Sequence, residues 1–326
     1  MGMIPDTYAD MAAFASHRDY PWWGLESATV FHDEPTTDEM LRRAWLADWD
    51  VRVVPQPAEP DWRITREEFA VIRTNPWDQG IDKLGTVGSR YTVFQNEQVL
   101  AFGEQLLGEA AWETAGSMDD GRIVFATLAL EREIVLDPDG VSDKVTNFLS
   151  LATSHDGSSA LQAMVTPVRI VCKNTLDLAM RQARQRIKIR HTAAIENKVE
   201  TARAVLGLAD KYLDAFEQEA AALYAASVTD QQFWDIINLA YPKPEGKAPV
   251  TRWQNKVDLI QAIYGSKTTH MLKGTKWGAL NAMTERLDWF RQIRNGNVEN
   301  ALQAAAGFDA VTTAEKNRLH ALVAAF

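Results

Sequence analysis

The segment from Arg169 to Arg203 holds the chain's densest cationic chemistry: Arg169, Lys173, Arg181, Arg184, Arg186, Lys188, Arg190, Lys198 and Arg203 stand against Asp177, Glu196 and Glu200. Guanidinium and ammonium groups at this density neutralise phosphate esters, and counterion release makes such contacts strongest at low salt. Read as a helix starting near Asn174, the segment puts Arg181, Arg184 and Lys188 at i, i+3 and i+7 on one face, where they would track a phosphate backbone. Arg169, Lys173 and Arg190 extend that surface, and Tyr91 or Phe94 would supply rings on which unpaired bases stack. The chemistry this pattern points to is nucleic-acid binding, single-stranded DNA favoured, with no cofactor required. The alternative is a solvated helix face neutralised by acids elsewhere in the chain.

Other chemistries find less support. Ser154, His155 and Asp156 are adjacent, so in an extended chain they point to opposite sides, whereas a catalytic triad converges from distant positions. No pair of His or Cys has zinc spacing, and Asp137-Pro-Asp139-Gly lacks the further acidic ligands of a calcium loop. There is no GxxxxGK[ST], and the glycines at 85, 88, 116 and 121 make no dinucleotide fingerprint. Scattered carboxylates in the first half leave a magnesium-dependent nuclease as a further alternative, although nothing in their spacing marks one out. Cys172 is the single cysteine, so no internal disulfide forms, and its apolar strand pattern predicts a buried thiol.

The elements that must position the cationic segment read as follows. Thr37 onward predicts a short helix capped at Thr36 or Thr37, with Asp38 and Glu39 in its first turn. Gly85 to Gln95 predicts a strand, and Glu97 to Ala110 a helix capped by Asn96. The run RIVFATLALEREIVL predicts a central strand, Asp137 to Gly140 a turn, Val145 onward the return strand, and QAMVTPVRIVCK the next strand. A helix from Asn174 follows, with Leu176, Met180, Ala183 and Ile187 on one face. Ile195, Val199, Ala202, Leu206, Ala209, Leu213 and Phe216 continue as a heptad-like seam. Stripes at Trp253, Val257, Ile260 and Tyr264, and at Trp277, Leu280, Met283, Leu287 and Phe290, predict further helices, with a last one from Thr312. The fold class is therefore α+β: an antiparallel β-β-β-α core, residues 1–173 forming a sheet domain, and 174–326 a mainly helical region beginning with a long basic helix.

Length and charge agree with two domains. A chain of 326 residues exceeds what one core usually supports, and 46 % hydrophobic with 24 % charged residues is ordinary for a globular protein. No apolar run approaches a membrane span, and the start lacks a secretory pattern, which predicts an intracellular protein. The net charge of −10 divides into −16 over residues 1–160 and +6 over residues 161–326. That asymmetry suits a nucleic-acid surface or complementarity within the molecule. The heptad seam and the tryptophan-rich faces also suit a homo-oligomer, or an assembly factor that binds protein partners.

The blocks PWWG, AWLADWDVRVVP, VGSRYTVFQNEQVLAF, ETAGSMDDGRIVFATL, TPVRIVCKNTLDLA, KIRHT and GTKWGALNAMTERLDWFR together resemble the phage/plasmid-like proteins that carry the domain of unknown function numbered 932. The match runs over nearly the whole chain, with one departure at Trp23, where the family more often has histidine. The resemblance implies a protein of a bacteriophage, prophage or plasmid acting in the cytoplasm of the bacterial host, and supplies no activity. A β-β-β-α core followed by basic surface is also similar, as a fold-level analogy only, to single-strand annealing proteins, which form rings around a cationic groove.

Overall fold

The computed structural model describes residues 5–17, 29–56, 67–107, 111–169, 174–175, 186–191, 209–290 and 310–326. Two compact units are interleaved along the chain. The first comprises residues 1–130, 148–165 and 184–207, and the second 131–147, 166–183 and 208–326.

In the first unit, runs rich in β-branched and aromatic residues build the sheets. Thr7–Tyr8 (β1) and Met11–Ala12 (β2) form a small ribbon. The main strands are Phe14–His17 (β3), Thr29–Phe31 (β4), Ala111–Met118 (β8), Ile123–Leu136 (β9), Asp143–Ser154 (β10), Leu161–Arg169 (β11) and Arg186–Ile189 (β13). Their spatial order is β13-β11-β10-β9-β8-β3-β4. The chain leaves and re-enters this unit inside β9, β10 and β11. A separate antiparallel sheet joins Arg52–Pro55 (β5), Glu68–Thr74 (β6) and Ile81–Gly88 (β7).

Among the described residues, two helices complete the unit. Thr37–Arg43 (α1) begins with a capping box: Thr36 Oγ1 accepts from the Glu39 N–H at 3.2 Å, and Glu39 Oε2 accepts from the Thr36 N–H at 2.9 Å. Asn96–Leu107 (α2) buries Val99, Leu100, Phe102 and Leu106. Gly103 lets α2 approach the sheet closely, because a Cβ there would lie 2.5 Å from Leu151 Cδ1. The core brings Met40, Trp49, Phe94 and Trp112 together with Leu149, Leu161, Ile187 and Ile189.

The described parts of the cationic segment, residues 174–175 and 186–191, are not helical as expected, and residues 176–185 lie outside the described residues. Asn174–Thr175 (β12) pairs antiparallel with β11, and β13 pairs antiparallel with β11 at Leu161↔Ile189, Gln162↔Lys188 and Ala163↔Ile187. The residues RIKIR alternate at period two, so a strand buries Ile187 and Ile189 and exposes Lys188 and Arg190. Ile187 also fits a +4, +3, +4 recurrence, which is why the helical reading was available, but burying both isoleucines selects the strand. Lys188 therefore cannot continue a helical face from Arg181 and Arg184.

The second unit is mainly helical: Ala209–Ala225 (α3), Asp230–Ala240 (α4), Lys247–Tyr264 (α5), Lys276–Trp289 (α6) and Ala310–Ala325 (α7). Trp277 of α6 is fully buried and donates Nε1–H to the buried Asp143 at 3.0 Å. Arg132 pairs with Asp214 and Glu217 of α3, both at 2.7 Å. Leu213 and Phe216, the end of the heptad-like seam, are buried within this unit. Residues 192–208, which carry the seam from Ile195 to Leu206, lie outside the described residues, as do Trp22, Trp23 and Cys172. Among the described residues no helix is long and apolar enough to cross a membrane.

One turn in the first unit is sterically demanding. Arg73 is 2 % exposed, with its guanidinium 4.0 Å over the Trp49 ring and Nε–H donating to Asp82 Oδ2 at 3.0 Å. Gly121, at φ +79°, lies against that guanidinium, and a Cβ there would collide with Nη1. Gly121→Ala combines a left-handed backbone with this clash, so it should destabilise the protein by about 2 kcal/mol. Gly88→Ala, which meets nothing within 4 Å, should stay within about 0.5 kcal/mol of wild type in the same urea titration.

Candidate nucleic-acid interface

The candidate site is assembled where β7 ends. After Gly88 the chain turns through Ser89 and Arg90, the Tyr91 N–H donating to Gly88 O at 3.1 Å, and runs on as Tyr91–Gln95 toward α2. Asn96 opens α2, but its side chain is not the expected cap. It turns inward, Nδ2–H donating to Leu46 O at 2.8 Å, so Oδ1 faces His155 Nε2 at 2.9 Å. Because Oδ1 only accepts, His155 carries its proton on Nε2. Its ring is fully buried, and burial first, then His191 and Arg73, push its pKa down to about 3 against an opposing effect of Asp156.

His191, at the end of β13, ties the cationic strand to the Tyr91–Gln95 segment. The Thr92 N–H donates to His191 O at 2.6 Å, and His191 Nδ1 lies 3.1 Å from Thr92 O. A carbonyl only accepts, so Nδ1 carries the proton and Nε2 accepts from Thr153 Oγ1 at 3.0 Å. The ring is 5 % exposed, and burial lowers its pKa despite the bond to Thr92. It is stacked with Tyr91 (centroids 4.9 Å, planes 8° apart) and with Phe94 (4.5 Å, 28°). His191 is thus a structural pin, neither a surface group nor a phosphate contact.

The outcome is a groove of about 990 Å³ lined by Arg90, Tyr91, Gly157, Ser158, Ser159 and Arg190, with Glu67 as an acid on its wall. Arg90, Lys188 and Arg190 are exposed, and none forms an ion pair with a described carboxylate. Asp156, the other nearby acid, accepts from the Ser158 N–H at 2.8 Å. Tyr91 is half-buried, its hydroxyl donating to Ser154 O at 3.3 Å. Burial first, and Asp156 second, raise the phenol's pKa, so Tyr91 is a neutral ring.

Of the residues expected at a nucleic-acid surface, the fold brings Tyr91 and Arg190 together on this groove and leaves Lys188 exposed two residues before Arg190. Phe94 is 1 % exposed and covered by His191, so it belongs to the core and offers no face to an incoming base. Arg169 lies in β11, with its backbone described and its side chain not. Lys173, Arg181 and Arg184 lie outside the described residues. Arg90 escaped sequence reasoning; its signal was a lone cation beside Tyr91 in the acidic half.

A second cavity of the first unit, about 700 Å³, is lined by Asp6, Asp82, Asp119 and Asp120 with Arg73 and Arg122. Its arginines are engaged, Arg73 with Asp82 at 3.0 Å and Arg122 with Asp119 at 3.3 Å, and its Lys83 donates to Gln56 Oε1 at 3.1 Å. Among the described residues no group of three or more His, Cys, Asp or Glu is arranged to hold a metal ion.

The fold and the site define an α+β protein with a cationic, tyrosine-bearing groove at the edge of its sheet. The chain belongs to the family of the domain of unknown function DUF932, whose model matches residues 83–307, a span that takes in Arg90, Tyr91 and the whole of β13. No curated protein and no solved structure matches it.

The buried histidines make stability pH-dependent. Below about pH 6.5 an unfolded His155 takes up a proton that the folded one refuses down to about pH 3, so stability is full above that window and falls as pH drops through it. His191 acts in the same direction. Between pH 7 and pH 5 the His155 effect is on the order of 2 kcal/mol. Urea unfolding at the two pH values should show wild type losing more stability than His155→Gln, and equal losses would contradict this assignment.

Proposed function

We propose that this protein binds nucleic acid, single-stranded DNA in preference, through the groove at Arg90, Tyr91 and Arg190. The observation that carries the reading is the convergence of two exposed arginines, neither paired with a described acid, on a tyrosine whose ring is backed by His191. The arginines would contact phosphates and Lys188 would add a further charge, while Tyr91 stacks on a base. A stacking platform must be rigid to select unpaired bases, and the bonds of His191 to Thr92 and Thr153 supply that rigidity. The phage or plasmid resemblance suggests the biological setting: a non-enzymatic protein of a mobile element, working as an oligomer in the host cytoplasm as a strand-annealing or recombination accessory factor.

Fluorescence anisotropy with labelled single- and double-stranded DNA over a salt series tests the reading. Wild type should bind single strands more tightly, with log K falling linearly against log salt. Arg190→Ala or Arg90→Ala should weaken binding and reduce the slope by about 0.7 for the lost phosphate contact. Tyr91→Leu should cost roughly tenfold or more in affinity, as expected for one lost stacked base, and Tyr91→Phe should retain it. Absence of binding at low salt defeats the proposal.

A further inference from the structure

The second cavity of the first unit has chemistry that the nucleic-acid reading does not use. It is lined by the start of the chain, by the β6–β7 hairpin and by the turn from Asp119 to Arg122. Arg73 and Trp77 both line it, and each keeps one buried N–H, Arg73 Nη1 and Trp77 Nε1, that finds no acceptor among the described residues. Arg73 is buried and donates Nε–H to Asp82 Oδ2 at 3.0 Å, which leaves Nη1 unmatched. A buried donor without a partner costs free energy, and two of them around one cavity mark a place for the acceptor atoms of a ligand.

The rest of the lining decides what kind of ligand. Four carboxylates, Asp6, Asp82, Asp119 and Asp120, stand against the three cations of Arg73, Lys83 and Arg122, so the balance disfavours an anion. A cation is disfavoured too, because it has no lone pair to offer the two unmatched N–H groups. A hydroxyl suits both kinds of neighbour: it accepts from an N–H and donates to a carboxylate. The lining also has an apolar part. Tyr8 is exposed and stacks on Trp77, with ring centroids 5.8 Å apart and planes 12° apart, and Trp45 packs against Trp77 at 6.3 Å. Ile81, also exposed, adds to it. An exposed ring braced by others is a flat platform for the C–H face of a ligand ring. The volume of about 700 Å³ is ordinary for a small-molecule site.

We infer that this cavity binds a neutral saccharide. Tyr8 carries the C–H face of a pyranose ring, Arg73 Nη1 and Trp77 Nε1 donate to its oxygens, and Asp82 and Asp120 accept from its hydroxyls. The site lies within the first unit, shares no residue with the groove at Arg90 and Arg190, and does not rest on that reading.

Isothermal titration of neutral methyl glycosides (glucoside, galactoside, mannoside and N-acetylglucosaminide) into the full chain tests the inference. Wild type should give a saturable isotherm with at least one of them, and neither thymidine nor inorganic phosphate should displace it. Tyr8→Ala should weaken that binding roughly tenfold or more, while Tyr8→Phe, which keeps the ring, should retain it. Trp77→Phe keeps a ring and removes the N–H, so it should also weaken binding. The Arg90→Ala/Arg190→Ala double variant should bind the glycoside as wild type does, which keeps the two sites distinguishable. Circular dichroism establishes that each variant is folded. No saturable isotherm with any glycoside, displacement by thymidine or phosphate, or full affinity in folded Tyr8→Ala or Trp77→Phe overturns the site.

Discussion

The register of β13 on β11 is the constraint on which the candidate site depends. Pairing Leu161 with Ile189 and Ala163 with Ile187 sends both isoleucines into the core and leaves Lys188 and Arg190 outside. A slip of one residue would exchange these faces, burying two cations and exposing two isoleucines, so the register is strongly specified by burial alone. His191 locks the end of the strand. Its backbone carbonyl and Nδ1–H engage Thr92, its Nε2 engages Thr153, and its ring fills the space between Tyr91 and Phe94. Arg190 therefore stands between the end of β13 and a histidine fixed at both backbone and side chain, beside a tyrosine held by the same histidine. A neutral imidazole suits this role, because both its nitrogens are satisfied without placing a charge in the core.

Much of the framework was legible because local chemistry and tertiary packing agree there. Thr36 with Glu39 three residues on marks the start of α1, and the capping box is present. The mainly apolar first half of β9, the turn after Asp137 and the α6 stripe from Trp277 to Leu287 are found where their patterns place them, while Phe290 lies past the end of α6 and is exposed. What was not legible depends on partners distant in sequence. Ile187 and Ile189 fit a helical and a strand period equally over so short a run, and only pairing with β11 separates the two. Asn96 has the chemistry of a cap, but Leu46 and His155 compete for its side chain and prevail, because both lie in the core. Phe94 reads as an aromatic near a cationic surface until His191, almost a hundred residues on, covers it.

The charge asymmetry also looks different once placed on the fold. Residues 1–160 carry −16 and residues 161–326 carry +6, yet the groove draws one arginine from each side of that division, Arg90 and Arg190. Several acids of the first part are already engaged locally: Asp82 with Arg73, Asp119 with Arg122, Asp38 with Arg42, and Glu39 with Arg43. Sequence-wide charge bounds the kinds of partner, while the pairing of individual side chains decides which cations remain for a phosphate.

The central claim is that Tyr91 and the arginines beside it meet DNA directly. Ultraviolet cross-linking of an oligodeoxynucleotide carrying 5-iododeoxyuridine, followed by mass spectrometric mapping, addresses it without relying on loss of function. The account expects the dominant adduct at Tyr91, abolished in Tyr91→Phe/Arg190→Ala and by high salt. Cross-links confined to peptides outside residues 86–91 and 157–160, with Tyr91 unmodified, would contradict it.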